Sequence, residues 1–333
     1  MVKKHLQAKS KHHHVWADYL RRWSLNGRDV YYTTAKGNIV CESVRGLTME
    51  KNFYQVKKLS DAHIEVIKGF SSKSSESLQA HHMSYLNDFL HMQELEEIYK
   101  KSGKEIEEIQ KVLHASKCNM LEDLHSAHEN EVQEIISSLA NRDLATLTDN
   151  KNFILFMQFF GHQISRTKTF KDTVIAGVSR TDSKTSINVA KDMNECWWFL
   201  SYMFGINIGS ELYLTRKKDA HCLLVNNTSI PFITSDQPII NVHELLDDEK
   251  IEPPSDDHCD FYYPISPKVA YMINRSDRFH RGINNVTIDI VKELNIKVAR
   301  RANVNIISNC KDTLKYLLKN IGFHLNVVNS YSK

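Results

Sequence analysis

The sequence has few of the features that mark zinc-binding, secreted or membrane-embedded proteins. Its six cysteines are widely spaced and no two form a Cys-x-x-Cys pair, which disfavours a zinc knuckle or a small disulfide scaffold and predicts reduced thiols. No apolar run approaches the ~18 residues of a membrane-spanning helix. The basic N-terminus has no apolar segment behind it, so a secretory signal is not expected. We therefore expect a cytoplasmic protein that does not enter a membrane.

A charge excess of one sign is also absent. The chain has 43 basic and 40 acidic residues, a net charge of +3 over 333 positions. This balance permits a nucleic-acid partner without requiring one, and a protein partner is equally compatible with it. The sequence contains no Walker A loop, GxGxxG, HExxH or GxSxG motif, which disfavours the familiar nucleotide-binding and hydrolase classes.

The hydrophobic pattern changes twice along the chain. Beta-branched and aromatic runs in RDVYYTTAKGNIVCESV predict paired strands, whereas helical spacing dominates from Glu76 to about Asp172, with Gly103 ending a first long helix. From Ala220 the pattern returns to strands, two of them joined by an Asn-Asn-Thr turn. The C-terminal sequence is helical with a break near Asn303.

These segments predict an α+β fold with N-terminal β-strands, a central helical layer, a C-terminal mixed or antiparallel β unit and closing helices. We expect a single composite domain over residues 1–333. Its predicted parts are 10–70 (strands and helix), 76–215 (helical layer), 220–275 (β unit) and 286–320 (closing helices).

Three consecutive histidines in KHHHVWADYLRRW form the first candidate site. Neutral imidazole can act as a ligand or as a general base near pH 7, which makes His13 and His14 candidates for chemistry. The competing interpretation is a partly exposed helix start that leads into an apolar and aromatic stripe.

A second candidate is Glu129, which shares a helix side with Val132 and Ile136 and is therefore predicted to point inward. A buried carboxylate needs a partner. His125 lies four residues earlier on the same side, so a metal site is conceivable, although the Glu-x-x-His order of carboxylate-bridged bundles is absent. A solvated helix face is the alternative.

Two polar residues adjoin the most apolar helix. Gln163 and Arg166 follow the aromatic run of NKNFILFMQFFGHQISRTK. A guanidinium beside a core pairs with a carboxylate or a phosphate. Asp236 in FITSDQPII is the obvious predicted partner, whether the pair is structural or the arginine binds an anion. Ser235, Asp236 and Pro238 also suit an ordinary turn.

Several segments together resemble an uncharacterised bacterial family catalogued as domain of unknown function 4238. The family's opening pattern of a His, an aromatic–Val pair, a Tyr-Leu pair and a Trp or Phe is similar to His13, Val15, Tyr19, Leu20 and Trp23. Its Asn-x-x-Phe-Tyr element resembles EKNFYQV, and its Tyr-Pro-x-Ser-Pro element resembles YYPISPKVA.

Further family elements fall on the polar candidates. The family's helical Glu is similar to Glu129, although His128 stands where an apolar residue is usual. Its Gln-x-x-Arg-Thr element resembles the segment that contains Gln163 and Arg166, with Ile164 in place of an aromatic. The Asp-Gln-Pro turn and a late helical Asn resemble Asp236 and Asn295. The resemblance spans roughly residues 10 to 315, implies one fold unit and brings no established reaction.

Two functions from different classes remain open. In the first, the polar residues converge in an enzyme that cleaves phosphodiester bonds, with His13 or Asp236 as base and Arg166 stabilising the phosphoryl oxygens. The assigned catalytic residues are His13, Glu129, Arg166 and Asp236. The assigned substrate-binding or supporting residues are His14, Gln163, Thr167, Ser235 and Asn295. A divalent metal is compatible with this site but not required, and a nuclease-like effector in phage defence is one expected role.

The second function is a non-catalytic interaction or sensor protein in which the same residues form a buried network. Arg166 would then pair with Asp236 or Glu129, and Gln163 and Asn295 would bind backbone groups. A shared open pocket favours the enzyme, and an enclosed pair favours the network.

Overall fold

The computed structural model describes residues 7–180, 183–246 and 249–330. The strands in these ranges are β1 Lys11–His13, β2 Asp29–Thr33, β3 Ile39–Ser43, β4 Met49–Lys51, β5 Ala220–Val225, β6 Thr234–Ser235, β7 Ile240–Asn241, β8 Phe261–Ser266, β9 Val269–Asn274, β10 Gly282–Asn285 and β11 Ile306–Ser308. The α-helices are α1 Ala17–Leu20, α2 Asp61–Ser71, α3 Glu76–Lys101, α4 Glu107–Ala140, α5 Asn150–Ser165, α6 Lys168–Ser179, α7 Lys184–Glu195, α8 Trp197–Thr215, α9 Ile288–Arg301, α10 Lys311–Leu317 and α11 Phe323–Ser330.

The strands form three sheets. A five-stranded sheet has the order β10-β5-β9-β8-β7, a four-stranded sheet has the order β3-β2-β11-β6, and β1 pairs with β4. All pairs are antiparallel except β10 with β5. The predicted α+β fold is therefore confirmed.

The two ends of the chain meet in the four-stranded sheet. The N-terminal strand β2 pairs with β11, which lies close to the C-terminus. The Tyr19 hydroxyl donates to the Pro264 carbonyl at 2.6 Å and lies 2.6 Å from the Thr234 hydroxyl, which links the N-terminal segment to both larger sheets. The division into one composite domain stays a prediction, and these contacts agree with it.

The central helical layer runs from α3 to α8. Gly103 follows α3 with a φ of 66°, a left-handed conformation that glycine adopts without the steric cost of a Cβ. The helices α5 and α8 pack very closely, and the layer's buried side chains are mostly aromatic and aliphatic. Among the described residues, no helix is both long and apolar enough to cross a membrane.

The predicted break near Asn303 is present, because α9 ends at Arg301. It contains the strand β11, which was not predicted and which forms because β2 and β6 pair with it on either side. The two strands on either side of the Asn-Asn-Thr segment are β5 and β6, and they belong to different sheets. Asn226 instead donates to the Ile230 and Pro267 carbonyls, which turns the chain from one sheet toward the other.

Candidate functional site

Arg166 directly follows the last residue of α5 and is buried. Its Nη1 lies 2.7 Å from Oε1 of Glu129 on α4, and its Nη2 donates to the side-chain oxygen of Gln163. The side chains of Arg166 and Glu129 are 3% and 12% exposed. Burial alone would lower the pKa of Arg166, but the Glu129 carboxylate raises it above its usual value. The guanidinium is therefore charged and enclosed.

The ion pair is joined to the N-terminal segment. Gln163 donates through Nε2 to the His14 carbonyl at 2.9 Å, and the Tyr54 hydroxyl donates to the Arg166 carbonyl at 2.8 Å. Of the two partners predicted for Arg166, Glu129 is the one in contact with it, and Asp236 is not part of this network in the described residues. Glu129 on the neighbouring helix α4 pairs with Arg166, because both residues lie within the helical layer.

Asp236 instead binds the backbone between α9 and β11. Its Oδ1 accepts from the Asn303 N–H at 2.8 Å, and its Oδ2 accepts from the N–H groups of Val304 and Asn305 at 2.7 and 2.9 Å. Burial raises the pKa of the Asp236 carboxyl, and these backbone donors act against that shift. The side chain is only partly buried, so it also reaches the surface.

The three consecutive histidines lie on and just after strand β1, so the helix-start interpretation is wrong. His12 accepts from the Tyr54 N–H through Nδ1 at 2.7 Å, and its Nε2 contacts the Lys9 carbonyl at 2.9 Å. His13 Nδ1 lies 3.4 Å from Glu122 Oε1. His14 is buried, and burial followed by the nearby Arg166 charge lowers its pKa to about 3. His14 is therefore neutral at pH 7.

The remaining supporting residues bind nearby backbone. Thr167 donates to the Ile164 carbonyl at 2.9 Å, and Ser235 donates to the Gln237 carbonyl at 2.9 Å. Asn295 donates to the Pro231 carbonyl and accepts from the Ile233 N–H. Each of these three side chains binds backbone groups, and the described residues show no hydrogen bond between any two of the three.

An open cleft of about 360 Å³ adjoins this region. Of the sequence-predicted residues, His14 and Asp236 line it, whereas Arg166 and Glu129 do not. Its lining residues are His14, Tyr32, Thr34, Ala35, Gly46, Leu47, Thr48, Met49, Lys168, Asp236, Asn303, Val304 and Asn305. The structure thus separates the candidates into an enclosed ion pair and a polar cleft.

Sequence reasoning missed Lys168 as a cleft residue. It is the exposed first residue of α6, and its ammonium group makes no ion pair with another described residue. The sequence feature that could have identified Lys168 was its position two residues after Arg166, at the start of a helix. Asn303 and Asn305 were not predictable, because a loop distant in sequence brings them to the cleft.

A second group of histidines lies beside the ion pair. The ring centroids of His125 and His128 are 5.7 and 4.9 Å from that of His162. Burial lowers the pKa of all three, and each Nδ1 lacks a hydrogen-bond partner in the structure. Within the described ranges, no group of histidine, cysteine and carboxylate side chains has an arrangement that could hold a metal ion.

Comparison with protein families gives one match. The model of the family described as Protein of unknown function (DUF4238) matches residues 11–214 and 206–312. Neither the curated proteins nor the solved structures gave a match.

Proposed function

Because the chain belongs to the family described as Protein of unknown function (DUF4238), which brings no reaction with it, we propose a function from the cleft itself: the protein is a non-catalytic sensor that binds a small anionic ligand. One observation carries this proposal. The ammonium group of Lys168, which has no ion pair with any residue that the structure describes, lies in the same open cleft as the polar side chains of His14 and Asp236.

The charges in the cleft favour an anion. The charge of Asp236 is offset by three backbone N–H donors, and His14 is neutral at pH 7. Lys168 is therefore the charged group of the cleft that has no partner among the described residues and can meet an anion. The helix α6 begins there, and Thr167 makes no side-chain cap bond to it. Free N–H groups at a helix start favour a phosphate or carboxylate.

The enclosed ion pair argues for binding rather than catalysis. Arg166 cannot stabilise phosphoryl oxygens in the cleft while Glu129 and Gln163 hold its guanidinium inside the helical layer. The contacts of Arg166, Glu129 and Gln163 instead connect α4 and α5 to the His14 backbone. His14 in turn lines the cleft. A ligand that moves His14 would therefore act directly on this network.

The test is binding to the intact protein by calorimetry, with inorganic phosphate, nucleoside mono- and diphosphates and cyclic nucleotides as probes. We expect at least one probe to bind saturably. We also expect that probe to be recovered chemically unchanged after incubation with the protein. Lys168→Ala should weaken binding about tenfold or more, the loss of one charge-assisted contact. Lys184→Ala is the matched control, since Lys184 is also an exposed first residue of a helix. Absence of binding by every probe, or equal binding by Lys168→Ala, would contradict the proposal.

Phosphodiester hydrolysis at the same cleft is the second candidate. It is favoured because an imidazole and a carboxylate, His14 and Asp236, line one cavity. It ranks second because an imidazole whose pKa is about 3 is a weak base at pH 7. Cleavage of RNA, single-stranded DNA or duplex DNA, with and without Mg²⁺ or Mn²⁺, tests it. Activity that is lost in His14→Asn would replace the sensor proposal, and phage plating would then test a defence role.

A further inference from the structure

The carboxylate of Asp236, which lines the cleft, has one hydrogen-bonding position left for a ligand. A carboxylate accepts at about four positions, and the backbone N–H groups of Asn303, Val304 and Asn305 take three of them. Among the described residues, the position that is left belongs to Oδ1, which accepts only the bond from Asn303. A ligand hydroxyl, which donates a single hydrogen bond, matches this single position.

His14 is a buried polar side chain in the same cleft, and its ring has no hydrogen-bond partner among the described residues. The residue is 7% exposed, its Nδ1 has no partner, and its Nε2 lies 3.8 Å from Glu50 Oε2, beyond hydrogen-bond range. A buried polar group without a partner costs free energy, which a bound ligand would offset. Burial, Arg166 and then Lys168 lower the pKa of His14, so the Lys168 ammonium lies near this imidazole.

A tyrosine ring lines the cleft near the segment that binds Asp236. Thr33 on β2 connects to that segment, since its hydroxyl donates to the Val304 carbonyl at 2.9 Å. Tyr32 precedes Thr33 on β2 and lines the cleft. Its hydroxyl donates to Glu42 Oε2 at 2.9 Å, which holds the ring in place. A fixed aromatic ring gives a planar base a surface on which to stack.

These features together match one class of small molecule. The Lys168 ammonium and the start of α6 favour a phosphate group, and the unpartnered imidazole of His14 lies beside them. The free position on Asp236 matches a hydroxyl, and the ring of Tyr32 matches a planar base. The cleft volume of about 360 Å³ lies near the lower limit of the ~300–1,000 Å³ of small-molecule sites. It therefore accommodates a single nucleotide rather than a nucleic-acid strand.

We infer that the cleft binds a ribonucleoside monophosphate, whose phosphate lies at Lys168 and His14. One of its ribose hydroxyls donates to Asp236 Oδ1, and its base stacks on Tyr32. This inference rests on the proposed anion-binding function of the cleft and names the class of ligand. A carboxylate that accepts from a ribose hydroxyl also recurs in dinucleotide-binding proteins of unrelated fold.

The first experiment compares probes on the full wild-type chain and on Lys168→Ala by calorimetry. The probes are the common ribonucleoside 5′-monophosphates, their 2′,3′-dideoxy counterparts, ribose 5-phosphate and inorganic phosphate. We expect a ribonucleoside monophosphate to bind the wild type at least about tenfold more tightly than its dideoxy counterpart, which leaves Asp236 Oδ1 unfilled. Lys168-dependent binding of phosphate or ribose 5-phosphate, without preference for a ribonucleotide, would overturn this inference and leave the proposed function standing. Absence of binding by every probe would overturn both.

A substitution tests the position of the base. Tyr32→Ala should weaken nucleotide binding at least about tenfold and bind ribose 5-phosphate as the wild type does, since that probe has no base to stack. Tyr32→Phe keeps the ring and should bind nucleotides close to wild-type strength. Tyr316→Ala is the matched control, since Tyr316 is 56% exposed and lies outside the cleft lining. Wild-type nucleotide affinity in Tyr32→Ala, or an equal loss for ribose 5-phosphate, would refute the stacking and with it the inference. The comparison of probes on the wild type needs no variant and is decisive even if Tyr32→Ala does not fold.

Discussion

At the scale of single residues, Asp236 shows how a turn residue can also organise a cleft. Its sequence context, Ser-Asp-Gln-Pro, suits a turn, and Ser235 does bind the Gln237 carbonyl. The carboxylate nevertheless accepts from three consecutive backbone N–H groups of a segment that lies far along the chain. The turn and the polar-site interpretations therefore describe the same residue.

Replacement of this carboxylate should destabilise the fold. In Asp236→Asn, an amide NH₂ would face at least one backbone N–H, and that buried donor would lose its acceptor. We expect a loss of about 1–3 kcal/mol in the free energy of unfolding, measured by urea denaturation. Asp277→Asn changes an exposed aspartate and should have little effect. Equal stability of the two variants would show that the backbone bonds contribute nothing.

The Arg166–Glu129 pair gives a second residue-scale prediction. Glu129→Gln removes one charge of a buried pair, so the other stays uncompensated, and we expect a loss of about 3–5 kcal/mol. The double variant Arg166→Met with Glu129→Leu should lose less, because no buried charge is left. Glu252→Gln, in an exposed pair with Arg180, is the control. A double variant that is less stable than Glu129→Gln would contradict this account.

At the scale of elements, the close contact of α5 and α8 depends on glycine. A Cβ on Gly161 would lie 2.3 Å from the Gly205 carbonyl oxygen and 2.5 Å from the Gly209 nitrogen, both of them backbone atoms that cannot rotate away. The helices approach at this point, and His162 beside it reaches the histidine group next to the ion pair. The position of the buried histidine group next to the ion pair therefore depends on glycine residues in α5 and α8.

A pair of glycine substitutions tests this dependence. Gly161→Ala should destabilise the protein by about 1–3 kcal/mol, because the helices must separate. Gly177→Ala, in α6, has open space around its position and should stabilise by about 0.5–1 kcal/mol through helix propensity. Thermal and urea unfolding of both variants provide the comparison. Stabilisation by Gly161→Ala would show that the contact is looser than described.

Element prediction from sequence succeeded where local pattern decides and failed where pairing decides. The helices α3 and α4 show clear spacing of apolar residues and a glycine stop, and both were predicted. The strands β6 and β11 have two and three residues, too few for a periodic signal. They exist because distant strands offer hydrogen bonds to them.

At the scale of the whole molecule, buried histidines should set the response to acid. Burial lowers the pKa of His14 to about 3 and of His221 to about 4, and lowers those of His125 and His162 as well. An unfolded histidine binds its proton near 6.5, so below that pH the unfolded state binds more protons. Stability is therefore complete above about pH 6.5 and falls as pH decreases toward the folded-state values.

We expect each such histidine to remove at most about 1.4 kcal/mol per pH unit below 6.5. Asp236 acts in the opposite sense, since burial raises the pKa of its carboxyl above the usual value of 3.8. A carboxyl with a raised pKa favours the folded state as pH decreases. Urea unfolding at pH 7.5, 6.5 and 5.5 measures the slope. His125→Gln should reduce it, whereas His280→Gln, at an exposed position, should leave it unchanged. A slope near zero in the wild type would contradict the burial argument.

The sequence by itself determined the fold class and the long helices and indicated the polar residues of the ion pair, because periodicity, stop signals and residue chemistry are local properties. It also placed Glu129 and Arg166 against apolar helix faces. Only the tertiary structure decided which groups meet. Arg166 pairs with Glu129 because their helices pack together, and Asp236 lies in the cleft because a loop near the C-terminus returns to it. Such pairings depend on how distant segments bury their surfaces together, and no short stretch of sequence encodes them.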